Sequence, residues 1–420
     1  MALNVKVGSF ALPTTNNATF AVTGVGFQPK VVLFWSIART ADAVNSGTGA
    51  DPHIVQTILG MYDGTTSVCA NNLDDFAGGD PGVFLTKCIV DQDRAHNGVT
   101  ASGVSLDSDG FTLNVGWTGT GAANIVCYMA LGGSDLSAKI ISQNITATGN
   151  KAFTGAGFRP SSAILIGGVY DQVNSNSPGL GYDVSIGAVS STSQRWFWSS
   201  CFSGGTALNQ YARVDKCVGV TGNSGATVAV LFQGDIVSFD SDGLTINFDT
   251  WAGPSTTNGA TGNTVYALCL AGINTFAGSL AQKTSTGSQS VTGVGFQPSA
   301  ILFGSAGKTA GTTIVSGNQI YHFTGGTDGT NSSVTAVSDN NTANTILDRT
   351  KCLAYIADGV ISSAAALASF TSMDTDGFTV NWTAADATAR QNLFFAIGAV
   401  GAAAPAVGTT FQPHRMPIGC

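Results

Sequence analysis

A chain of 420 residues with 43% apolar side chains can bury sizeable cores, which excludes global disorder, and it exceeds one simple β-sandwich in length. Only 10% of residues are charged, against about 25% in ordinary soluble domains, so Ser, Thr, Asn and backbone must carry solubility. The net charge of −8, with 17 basic residues scattered without a run, argues against a nucleic-acid partner, because phosphate binding needs clustered Lys and Arg.

The opening run Met1-Ala2-Leu3-Asn4-Val5-Lys6-Val7 alternates like a strand and has no signal-peptide pattern. No segment approaches 18 uninterrupted apolar residues, so neither a membrane span nor a membrane partner is expected. Val22-Thr23-Gly24-Val25-Gly26-Phe27-Gln28-Pro29 then reads as a Gly/Pro turn feeding a buried strand, Val31 to Trp35. Thr86-Lys87-Cys88 follows, and after it Asp107-Ser108-Asp109-Gly110-Phe111-Thr112-Leu113-Asn114. In this last segment Phe111, Leu113 and Val115 alternate with polar residues behind an Asp-Gly corner, the pattern of a β-hairpin. An apolar strand around Val126 to Met129 closes the unit.

The same signatures return in the same order. The turn recurs at Gly155-Ala156-Gly157-Phe158-Arg159-Pro160 and Gly293-Val294-Gly295-Phe296-Gln297-Pro298. The Lys-Cys pair recurs at Lys216-Cys217 and Lys351-Cys352, and the hairpin at Asp240-Ser241-Asp242-Gly243 and Asp374-Thr375-Asp376-Gly377. The spacing, from Pro29 to Pro160 to Pro298, is about 135 residues, far longer than a solenoid unit and close to a whole sandwich. The expected fold is therefore all-β: three tandem antiparallel β-sandwich domains of jelly-roll-like kind, each closing its own interior. Boundaries near Gly133, Gly272 and Gly401 place the copies at 1–133, 134–272 and 273–402, leaving 403–420 as a C-terminal tail. Only the run Ile361 to Leu367 is compatible with a helical turn.

The tail carries Phe411, Gln412, Pro413, His414, Arg415 and Cys420, of which Phe411-Gln412-Pro413 echoes the opening turn of each copy. It reads either as a peptide that docks on a neighbour or as a surface-bound end. Cys420 is a terminal thiol able to cross-link chains; the other seven of the eight cysteines match no zinc spacing and read as small buried hydrophobes. Strand alternation puts Trp196 and Trp198 on one face, as a partner or glycan patch if outward and as core if inward, the reading favoured here.

Catalytic and cofactor patterns are not evident. The Asp-x-Asp-Gly segments lack the later oxygen ligands of a calcium loop, and the Gly-x-Gly turns lack the helix and distal acid of a dinucleotide site. His53, His96, His322 and His414 do not recur at equivalent points of the copies. No cofactor, metal or catalytic residue is expected.

The three signatures together resemble repeats of structural proteins from tailed bacteriophages, over roughly 400 residues and excluding the tail. Copy two departs most, with Arg159 for Gln and Leu244 for Phe. The resemblance implies a virion component assembled in a bacterial cytoplasm, a capsid decoration or cement protein or a tail-associated one. Its partners would be other virion proteins, capsid or tail subunits, and further copies of itself. The alternative is a receptor- or glycan-binding protein of a phage tail or fibre.

Overall fold

The computed structural model describes residues 3–16, 18–46, 55–75, 78–92, 98–118, 123–168, 175–176, 183–201, 208–224, 227–252, 262–311, 313–317, 320–339, 344–356 and 364–401. Among them the chain is all-β, and every strand pairing is antiparallel. Of the run read as a helical turn, Ala364 to Leu367 belong instead to the strand Ala364–Asp374, and residues 361–363 lie outside the described residues.

Each copy forms two sheets. In copy one a four-stranded sheet has the order Ala18–Thr23, Gly110–Thr118, Gly98–Asp107, Ile89–Gln92. The other sheet contributes Asn4–Ala11, Ile125–Gly132, Pro29–Ser36, Val55–Tyr62, Ser67–Asp75 and Gly78–Phe84, in that order. Phe111 and Leu113 of the hairpin meet Val32 and Phe34 of the long sheet in one buried cluster, as their two-residue period requires. Copies two and three repeat this order. The division is seven strands against four, not the four against four of a jelly roll.

The seventh strand of each long sheet belongs to another copy. Ser175–Asn176 of copy two completes the sheet of copy one, beside Gly78–Phe84. Val315–Gly317 of copy three completes that of copy two, beside Leu208–Arg213. Ala43–Ser46 of copy one completes that of copy three, beside Asn344–Asp348. The donations run in a circle, so the first copy closes on the last. Arg349 Nε–Asp42 Oδ1 at 2.9 Å and Arg39 Nε donating to Thr345 Oγ1 at 2.7 Å reinforce that closure.

Two sequence signatures turn out to be one structural unit. Gly24 and Gly26 both have positive φ (80° and 88°), which turns their N–H groups to the same side. They donate to the two carboxylate oxygens of Asp109 at 3.0 and 2.6 Å, so the second Asp of each Asp-x-Asp-Gly ties down the Gly-x-Gly turn. Asp242 and Asp376 do the same in the other copies. The first Asp is also occupied: Asp107 accepts from Ser105 Oγ and Thr112 Oγ1, both at 2.6 Å. Their oxygens serve the hairpin.

Copies one and three have interiors of their own. The interior of copy two, however, runs without a break into a cluster built from all three copies. The expectation of three separately closed interiors is thus corrected. The outer faces of the long sheets are apolar as well, and they can leave water only against one another.

Candidate functional site at the seam between copies

Three equivalent contacts hold the seam. The hairpin tip of each copy offers one oxygen to a backbone N–H on the first strand of the next. Asp63 Oδ2 accepts from Ile140 N, Ser190 Oγ from Ala277 N, and Asp328 Oδ2 from Val7 N, each at 2.9 Å. Burial pushes the Asp63 carboxyl up, but the N–H groups of Ile140, Thr66 and Thr65 outweigh it and hold the group below its ordinary range. Lys139 Nζ lies 3.1 Å from the same carboxylate.

Inside this frame, side chains from the three copies meet in layers. Leu59, Ile186 and Thr324 share one layer with Leu33, Trp35, Ile166 and Leu302, around a void of about 10 Å³, too small for any ligand larger than water. The packing is unequal. Trp198 of copy two fills the space over Gly304 of copy three, and Trp35 of copy one fills the space over Gly326. The Trp196 indole N–H donates to Phe394 O at 2.7 Å, across the boundary between copies two and three.

The next layer is polar. The His322 ring of copy three lies between Thr57 Oγ1 of copy one, 2.6 Å from Nε2, and Ser200 Oγ of copy two, 2.7 Å from Nδ1. Trp198 stacks on it, ring centroids 5.0 Å apart. Burial pushes the imidazole pKa down to about 3. A neutral ring donates at one nitrogen and accepts at the other, which two hydroxyls satisfy in either tautomer. A hydroxyl beside an imidazole is also the pairing of a nucleophile and its base. Here Thr57, Ser200 and His322 are 4%, 0% and 2% exposed, and so weak a base could hardly take a proton at neutral pH, so the arrangement is a joint.

Trp196 and Trp198 do share a face, and it is the seam. Both are fully buried, so they offer no outward patch to a partner or a glycan. Phe411, Gln412, Pro413, His414, Arg415 and Cys420 lie outside the described residues, as do His53 and His96. The Lys-Cys cysteines are buried, and burial pushes the Cys88 and Cys352 thiols up to about 12, far from a thiolate nucleophile. Among the described residues no group of three or more His, Cys, Asp or Glu could hold a metal ion, and no helix is long and apolar enough to cross a membrane.

Sequence reasoning set His322 aside because it does not recur. The signal was the opposite one: a single ionisable residue at a point where copy one has Thr57 and copy two Val184, on strands otherwise built for burial. Asp91 is a second such outlier, standing where copies two and three have Val220 and Tyr355. Burial raises its pKa to about 6, offset in part by the Asn124 amide donating at 2.7 Å. A raised carboxylate pKa means the native state loses stability as pH climbs through that value. Asp91→Asn should therefore stabilise the protein by about 2 kcal/mol at pH 7 and by little at pH 4, measured by urea denaturation at both.

Comparison with known protein families and with curated proteins returns no match.

Proposed function

We propose that the chain is a structural component of a phage virion, a capsid decoration or cement protein or a tail-associated one, acting through protein–protein contacts and not through catalysis. The observation that carries this reading is the circular exchange of strands, which makes one polypeptide imitate a closed trimer. Such a body suits a partner site of local threefold symmetry.

Its contact elements follow from the sheet edges. Neighbouring copies pair with or cap the edges of the long sheets. The edge strands Ala18–Thr23, Gly149–Thr154 and Gly287–Thr292 instead pair on one side only. Their outward residues, Thr19, Ala21 and Thr23 in copy one, Asn150, Ala152 and Thr154 in copy two, and Ser288, Ser290 and Thr292 in copy three, are exposed and uncharged. In copies one and three the edge strand carries no charge at all, so it can accept a further strand, whereas the edge of copy two holds Lys151 on its half-buried face.

Mass spectrometry of separated heads and tails tests the reading. The chain should be recovered with one of them, and recovery with neither would remove the proposal. In the fraction that holds it, Ala21→Lys with Ala152→Lys should cut occupancy about tenfold or more without changing the fold, because charged edges resist pairing.

A further inference from the structure

We propose that the edge strand Ala18–Thr23 of copy one takes up an extended, uncharged segment of a partner subunit as a fifth strand, and that the equivalent edges of copies two and three are held back from doing so. It rests on the virion reading above and assigns the contact to one of three equivalent edges.

The three edges share a backbone and differ in side chains. Phe20, Lys151 and Gln289 occupy one position, opposite Leu113, Ile246 and Val380 of the neighbouring strands. Those three neighbours are fully buried, so the position lies on the interior side of each sheet, at its rim. In copy one it holds a half-buried phenyl ring, 5.6 Å from the ring of Phe10 and packed against the interior. A strand added there covers apolar surface and gains from it. In copy two the half-buried Lys151 stands there, and the same addition would take a charge out of water. An inward-placed lysine is one of the ways an edge is kept from pairing. Arg159 adds a second cation in the turn that follows, where copies one and three have Gln28 and Gln297.

Copy three is guarded differently. Its strand Gly287–Thr292 is uncharged, but Lys283 Nζ donates to Ser288 O at 3.2 Å. Backbone groups of an antiparallel edge point alternately to the neighbour and to the open side, and the hairpin closed by Asp374 and Gly377 puts Ser288, Ser290 and Thr292 on the open side. An incoming strand must therefore displace Lys283. In copy one Thr14 stands at that point, and the open-side residues are Thr19, Ala21 and Thr23.

The exchanges within the chain show what such an occupant is like. Ala43–Ser46 completes the long sheet of copy three without a charge and packs Val44 against the interior there. Ser175–Asn176 and Val315–Gly317 are uncharged too. A partner segment of this kind, with one apolar residue set over Phe20, fits the edge of copy one.

Hydrogen exchange of the chain free in solution, and of the chain bound in the head or tail fraction that holds it, gives the test. The amides of Thr19 and Ala21 should exchange freely in the first and slow by about tenfold or more in the second. Those of Asn150, Ala152 and Ser290 should exchange alike in both. Ala21→Lys alone should cut occupancy about tenfold or more, and Ala152→Lys alone should leave it unchanged. Both side chains are exposed, so neither substitution enters an interior. Unslowed exchange at Thr19 and Ala21 in particles that hold the chain would overturn the strand addition and leave the virion reading standing. Recovery with no particle would remove both. Equal slowing at all three edges, or slow exchange of Thr19 and Ala21 already in the free chain, refutes the assignment to copy one.

Discussion

Replacing Gly304 with alanine is expected to loosen the seam between copies two and three and to cost about 1–3 kcal/mol, the range for overpacking a filled interior. A Cβ at that position would lie 2.3 Å from Nε1 and 2.9 Å from Cδ1 of Trp198. The indole has little room to yield, since it is fully buried and stacked on His322. Valine at the same position should cost more. Urea denaturation followed by tryptophan fluorescence measures the loss. Trp198→Phe combined with Gly304→Ala should recover part of it, because the smaller ring leaves space for the methyl group. A Gly304→Ala protein as stable as the original would mean that Trp198 is not wedged there.

This contact also bears on why the copies differ. Counting from Pro29, Pro160 and Pro298, Gly304 corresponds to Trp35 in copy one and to Ile166 in copy two. Trp35 in turn lies over Gly326, whose counterparts are Met61 and Ala188. Three copies of the first unit would bring three Trp35 rings to one axis, and three of the third would bring three glycines. Neither set fills the space that the mixed set fills. Large side chains in copies one and two against small ones in copy three thus fix which copy sits beside which, the role that a specific mismatch plays against wrong partners.

The sequence made the units legible because each is built from local rules. Alternation at Phe111, Leu113 and Val115, and the Asp-Gly corner before them, depend only on neighbouring residues, and they form the expected hairpin. The partnership of Gly24 and Gly26 with Asp109 was hidden because it joins residues more than 80 positions apart, although the joint recurrence of the two signatures was its trace. The ring was harder still. A donated strand such as Ala43–Ser46 is four residues long, too short for a periodicity, and it pairs about 300 residues away. The Trp196–Phe197–Trp198 run showed which side chains share a face, but no periodicity says whether that face meets water or a second sheet. Only the closure of three long sheets on each other answers that.

The largest single effect should come from the glycine that faces each Lys-Cys signature. A Cβ at Gly60 would lie 1.8 Å from the carbonyl oxygen of Cys88, and one at Gly187 would lie 2.0 Å from that of Cys217. The obstacle is backbone, and in each copy it is held by a hydrogen bond, Cys88 N to Ala101 O at 2.8 Å and Cys217 N to Gly234 O at 3.1 Å. Alanine at either position must therefore push two sheets apart, at a cost on the order of 4 kcal/mol, the upper end for one substitution. The consequences should differ between copies. Gly60 borders an interior that belongs to copy one, so Gly60→Ala should split calorimetric unfolding into an early transition for that copy and a later one for the rest. The interior beside Gly187 runs into the seam, so Gly187→Ala should lower the whole profile together. Identical single transitions in the two variants would mean that the three copies unfold as one body and that the separate interior of copy one has no thermodynamic expression.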